Sequence, residues 1–155
     1  MKLQFGKLAI SLGIPLGLGA IVGFLTRGGE GYAQLVQPPL SPPGWLFPVV
    51  WTILYALMGY AAYRVWTSGE KPEDVRRALI AYGVQLFLNL LWPFVYFSLG
   101  WRLVAFFLLI ALWVAIYITM RLFAKVDETA SDLLIPYLLW VTFAGYLNLG
   151  TYLLN

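Results

Sequence analysis

The chain has 155 residues, 61% of them hydrophobic and only 11% charged, with a net charge of +3. Soluble domains usually carry about 25% charged residues, so an ordinary soluble fold is excluded. Cysteine and histidine are both absent, which removes disulfides, thiolate nucleophiles, iron–sulfur clusters and the usual ligands of haem and zinc.

The charged residues leave uncharged runs at 8–26, 31–63, 78–101, 103–120 and 133–155. Each is long enough to cross hydrocarbon about 30 Å thick as a helix, which takes roughly 17–25 residues. Period-2 alternation is absent, which argues against a β-barrel. The expected fold is an all-α integral membrane protein. It is a single five-helix transmembrane domain over 1–155, with spans near 5–26, 43–67, 73–97, 101–124 and 129–153. Lys2, Lys7, Arg64, Lys71, Arg76, Arg77, Arg121 and Lys125 fall on one side, and Arg27 and Arg102 on the other. The positive-inside rule then puts the N-terminus in the cytoplasm and the C-terminus outside. No basic cluster interleaved with aromatics points to nucleic acid.

The first span opens with Lys2 and Lys7 and ends before a weak Gly31-Tyr32-Ala33 cleavage pattern. Its length and glycine content favour a retained span over a signal peptide. Gly13 with Gly17, and Gly19 with Gly23, form small-xxx-small pairs, expected to pack inside the bundle. Pro15 is expected to bend the helix. The loop at 27–43 begins with a flexible Arg-Gly-Gly-Glu-Gly and ends in a proline-rich stretch. A connection this long is usually functional, and it is expected to act as a lid.

Residues 38–55 hold five prolines, two tryptophans and no charge. Ser41 is placed as an N-cap with Pro42 at the first helical position. Trp51, Tyr55, Met58 and Ala62 then recur at helical spacing. In span three, Gln85, Asn89, Trp92 and Tyr96 share one face, and amides in hydrocarbon are costly without partners. Two readings stay open for that face: hydrogen-bond glue between helices, and the lining of a ligand cavity. Pro93 is expected to kink the helix beside Asn89. Span four is nearly all aliphatic and aromatic, and closes the bundle. In span five Tyr137, Trp140, Ala144, Asn148 and Tyr152 form a second stripe, notched at Ala144. Trp45, Trp66 and Trp101 are expected at the membrane interfaces, and Trp51, Trp92, Trp113 and Trp140 deeper.

No ionisable residue sits mid-span, which disfavours a proton relay. There is no Ser/His/Asp set, phosphate loop or acid pair. Indoles, phenols and a few amides remain, and these suit large, flat, mostly apolar molecules.

The run Pro39-x-Ser41-Pro42-Pro43-x-Trp45-x-Phe47-x-x-Val50-Trp51-x-x-Leu54-Tyr55-x-x-Met58-Gly59 resembles the signature of the translocator protein family. Its members are also called tryptophan-rich sensory proteins or peripheral-type benzodiazepine receptors. Two further blocks agree: Asn89-x-x-Trp92-x-x-x-Tyr96 and Pro136-Tyr137-x-x-Trp140-x-x-Phe143-Ala144-x-x-Leu147-Asn148. The resemblance covers nearly the whole chain. It implies a five-helix bundle, often dimeric, whose cavity is closed by the first loop. It also implies binding of porphyrins such as protoporphyrin IX and of isoquinoline-carboxamide or benzodiazepine-like drugs, with no cofactor required.

On this reading the ligand-binding set is Tyr32, Trp51, Tyr55, Gln85, Asn89, Trp92, Tyr96, Tyr137, Trp140, Ala144 and Asn148. Trp51 and Trp140 face one another, and Asn89, Ala144 and Asn148 line one pocket. Some bacterial members are described as degrading protoporphyrin IX in light, and there Trp51 and Trp140 would be the catalytic pair. The basic residue of the animal cholesterol motif is missing after Tyr152, so no sterol role is implied. The short C-terminus and basic bias suggest a bacterial plasma-membrane member, with membrane lipids and a second copy as the expected partners.

Overall fold

The computed structural model describes residues 3–27 and 35–155. Six α-helices follow in order: α1 Phe5–Thr26, α2 Leu46–Trp66, α3 Pro72–Pro93, α4 Arg102–Ala124, the short α5 Glu128–Asp132 and α6 Ile135–Leu154. Five segments are long and apolar enough to cross a membrane, α5 and α6 together forming the last. No strand occurs among the described residues. The fold is therefore the five-span membrane bundle expected from hydropathy.

The helices are thinly buried, as expected where lipid is the solvent. Ile10, Ile14, Ile21, Phe24 and Leu25 of α1, and Phe107, Ile110 and Val114 of α4, are exposed large apolar side chains. Water would penalise such surface, but hydrocarbon does not. The core lies instead along one face of α2 (Leu54, Met58, Ala61, Ala62, Val65), which meets Tyr82 and Leu86 of α3, Leu112 and Ile116 of α4, and Tyr137 and Val141 of α6.

Small residues set the closest crossing. A Cβ on Gly59 of α2 would stand 2.5 Å from the Ser11 carbonyl oxygen and 2.9 Å from the Leu12 Cα of α1. A Cβ on Gly19 would run into the Tyr55 ring. The other α1 glycines behave differently from the sequence expectation. Gly13, Gly17 and Gly23 have nothing within 4 Å of an added Cβ, so they face outward rather than into the bundle. A glycine pair shows which helix face is smooth, and not which neighbour it meets.

The entry to α2 also differs. Ser41 does not cap the helix, which begins at Leu46 after Trp45. Its amide and hydroxyl both turn back to the Pro38 carbonyl, at 3.3 and 2.7 Å. The result is a turn over 38–41 with Leu40 at φ 70°, the third turn position, where a type II geometry needs positive φ. Pro39 sits at the second position, which its ring favours. The competing turn thus takes the serine that a helix start would have used.

After Pro93 the helix widens into a π-helical turn, Phe94–Ser98. Proline cannot donate its amide, so the regular ladder is interrupted there and the wider turn absorbs the defect. The last span is broken as well. Asp127 caps α5 by accepting from the Ala130 amide at 3.2 Å, and α6 starts at Ile135 with Pro136 in its first turn. Asp127 also pairs with Arg64 Nε of α2 at 3.0 Å, which ties the two elements at that end of the bundle.

Gly59→Leu is expected to lower stability by about 1–3 kcal/mol, because the new side chain meets backbone that cannot turn aside. Gly13→Ala and Gly17→Ala meet open space and should leave the detergent unfolding midpoint unchanged or slightly raised. Thermal unfolding of the three purified variants checks this contrast.

Candidate ligand-binding site

Spans two, three and five turn polar side chains toward one another, and in hydrocarbon these must find partners within the protein. They form a chain. Tyr55 of α2 donates to Asn89 Oδ1 of α3 at 2.6 Å. Asn89 Nδ2 donates to the Tyr137 hydroxyl of α6 at 2.8 Å. Tyr137 donates in turn to Gln85 Oε1 of α3 at 2.7 Å, and Gln85 Nε2 lies 4.0 Å from Met58 Sδ. All five residues are buried. Each carboxamide still has unused capacity, since its oxygen can accept twice and its nitrogen donate twice.

A second, separate network lies farther along α3 and α6. Trp92 Nε1 donates to Asn148 Oδ1 at 3.0 Å, and Asn148 Nδ2 donates to the Arg102 carbonyl at 2.8 Å. Trp92 stacks on Tyr96, with centroids 4.7 Å apart, and the Arg102 guanidinium lies 5.2 Å from the Tyr96 ring. Asn148 here serves the first backbone carbonyl of α4. Asn89 and Asn148 therefore belong to two separate hydrogen-bond networks.

Aromatic rings bridge α2 and α6 beside the first network. Trp51 meets Tyr137 edge-on at 6.3 Å and tilts against Tyr55 at 5.5 Å. Trp140 meets Phe47 edge-on at 5.9 Å and leans on Phe143 at 5.5 Å. The expected Trp51–Trp140 pairing is thus replaced by two crossed contacts, each indole taking a ring from the opposite helix. Phe47 lies four residues before Trp51, one turn earlier on α2, and this register decides the exchange.

Next to these rings a groove of about 440 Å³ runs between α2 and α6, lined by Val50, Ile53, Leu54, Pro136, Leu139, Trp140 and Phe143. It is almost wholly apolar and opens sideways. Of the residues named from the sequence, only Trp140 lines it. Trp51, Tyr55, Gln85, Asn89 and Tyr137 stand together behind it. Trp92, Tyr96 and Asn148 belong to the second cluster, and Ala144 is half-buried on α6 between the two. Tyr32 lies outside the described residues. Tyr152 is 40% exposed, off the inner stripe, and Trp113 is 37% exposed, turned outward against Tyr117. The aliphatic lining residues carry no polar or indole signal, but Val50–Ile53–Leu54 and Pro136–Leu139–Phe143 follow helical spacing beside the two indoles.

The descending limb of the first connection is fastened to α6. Pro38 is buried against Gly150, where an added Cβ would come within 2.8 Å of its ring. Tyr146 donates to the Pro39 carbonyl at 2.6 Å. The Asn155 carboxamide accepts from Val36 N at 3.1 Å and donates to Val36 O at 3.0 Å. Among the described residues no group of three or more acidic side chains could hold a metal ion.

Comparison with known proteins places these features in a family. The sequence model of the TspO/MBR family matches residues 11–153. The chain is 40% identical to the tryptophan-rich protein TspO of Chlorobaculum tepidum, covering 100% of this chain and 99% of that protein. It is 36% identical to the tryptophan-rich protein TspO of Archaeoglobus fulgidus, over 96% and 97% of the two chains. The translocator protein of Bos taurus is 38% identical over 84% of this chain and 80% of its own length.

Tyr137→Phe removes the donor to Gln85 and should cost about 1–2 kcal/mol, within the range measured for interhelical hydrogen bonds. Asn89→Leu should cost a similar amount, and the double variant less than the sum of the two, because both act on one chain. Unfolding of the three variants in mixed detergent measures the coupling.

Proposed function

The chain belongs to the TspO/MBR family, and from that premise we propose that it binds flat, hydrophobic ligands between α2 and α6. Protoporphyrin IX is the leading candidate, and drug-like isoquinoline carboxamides or benzodiazepines are secondary ones. The carrying observation is the apolar lateral groove with Trp140 in its wall and the Trp51–Tyr55–Tyr137 rings behind it. A macrocycle entering from the bilayer slides against Val50, Leu139 and Phe143, with Trp140 meeting its face or edge. Further entry parts the crossed Phe47–Trp140 contact and brings the ring toward Trp51. Asn89 then offers its unused carboxamide positions without surrendering the Tyr55 and Tyr137 bonds.

Such binding serves tetrapyrrole sensing, transport or sequestration in a bacterial plasma membrane, with the N-terminus cytoplasmic and the C-terminus outside. The first connection acts as a lid, and the smooth outer face of α1 suits a homodimer. A second reading is light-dependent oxidation of bound protoporphyrin. It is favoured by Trp51, which touches both Tyr55 and Tyr137 and so offers an excited macrocycle an oxidisable indole backed by phenols.

Titration with protoporphyrin IX, read by quenching of tryptophan fluorescence and by the porphyrin absorption band, tests the site. The double variant Trp51→Phe, Trp140→Phe should raise Kd at least about tenfold, the loss expected of two ring contacts near 0.7 kcal/mol each. Unchanged affinity would sink the assignment. Under illumination, a product distinct from that of free porphyrin and absent in the double variant supports the photochemical reading. Identical bleaching in both proteins rejects it.

A further inference from the structure

A second groove, of about 540 Å³, lies at the opposite end of α2, where the chain turns into α3. It is lined by Trp66, Gly69, Glu70, Pro72, Val75, Arg76, Leu79 and Ile80. Its character changes along its length. Leu79 and Ile80 belong to the membrane-spanning part of α3, and Ile80 is 59% exposed. Glu70 and Gly69 lie in the turn beyond the end of α2, and Trp66 stands at the boundary, half-buried, with the Lys7 ammonium 5.1 Å from its ring centroid.

The two charged side chains of the groove are unused. Arg77 is paired with Glu73 at 2.7 Å, but its neighbour Arg76 makes no ion pair or side-chain hydrogen bond among the described residues, and the same holds for the Glu70 carboxylate. Both are exposed. The groove therefore offers one free cation, one free anion and an apolar channel running from them into the hydrocarbon.

From this juxtaposition we infer that the groove between α2 and the start of α3 binds a phospholipid with an ethanolamine headgroup. Its phosphodiester is held by Arg76, its ammonium by Glu70, and an acyl chain lies along Val75, Leu79 and Ile80. The charge pattern selects the headgroup. An anionic glycerol headgroup satisfies Arg76 but sets no donor cation against Glu70. A choline headgroup carries the positive charge but has no N–H to donate. A primary ammonium supplies both charge and donors, and charge-assisted hydrogen bonds are the stronger kind. Trp66 fits the glycerol level, where indoles gather. The groove is distant in sequence and lining from the α2–α6 groove, so the inference does not rest on the porphyrin reading.

Native mass spectrometry of the full chain, released from detergent with dioleoyl phosphatidylethanolamine, phosphatidylcholine or phosphatidylglycerol added singly and in competition, tests it. The wild-type chain should retain the ethanolamine lipid at least about fivefold over the other two, as one charge-assisted bond at a wet rim allows. Arg76→Gln should weaken retention of all three lipids at least about fivefold, because each carries the phosphodiester. Glu70→Gln should equalise ethanolamine and choline lipids while leaving total lipid retention in place. Both residues are exposed and unpaired, so folding is not at stake, and an unchanged thermal unfolding midpoint in each variant verifies it. A wild-type preference for phosphatidylglycerol, an ethanolamine preference that survives Glu70→Gln, or retention that Arg76→Gln leaves unchanged overturns the proposal.

Discussion

Everything in this bundle depends on polar groups meeting each other where no water can. Tyr55, Asn89, Tyr137 and Gln85 connect α2, α3 and α6 through three hydrogen bonds of 2.6 to 2.8 Å. In lipid the apolar surfaces of helices have little reason to prefer one another over acyl chains. Directional bonds between buried groups then specify which faces turn inward and in what register. Once Tyr137 lies between Asn89 and Gln85, the height of α6 against α3 is set, and with it the level at which Trp140 meets Phe47.

The same arrangement explains why a groove exists at all. Between α1 and α2 the crossing is tight because Gly59 lets backbone approach backbone. Between α2 and α6 the contact is made by long side chains: Phe47 on Trp140, and Trp51 on Tyr137. Large rings hold helices apart as much as they join them, and the space between them is apolar, lateral and adjustable by ring rotation. A site of this kind recognises shape and flatness first, with few fixed polar contacts.

The spans were legible because length and charge exclusion are properties of the solvent they must cross. The inward face of α3 was equally legible, since Gln85 and Asn89 have nowhere else to go; the two readings of that face were glue and lining, and in this structure both amides hold helices together while standing next to the groove. What could not be read was register between helices. The resemblance sets Trp51 and Trp140 face to face, but in this structure Trp51 meets Tyr137 and Trp140 meets Phe47. Ser41 and the glycines at 13, 17 and 23 of α1 depart from expectation for a related reason. A local signal names a capability, such as capping or close approach, and the tertiary surroundings decide whether it is used. The aliphatic groove residues are silent in the sequence because Val, Leu and Ile look alike whether they face lipid, core or ligand.

The hydrogen bonds between Val36 and Asn155 join residues 119 apart in the chain. With Pro38 seated on Gly150 and Tyr146 on the Pro39 carbonyl, the described end of the first connection is fastened to the last helix. A chain made and inserted from its N-terminus presents α1 through α4 before α6 emerges. The strap at 36–39 therefore gains these anchors only when the final span is in place. Order of synthesis thereby becomes a quality check: a chain lacking a seated α6 has neither the groove's second wall nor the anchorage of the strap.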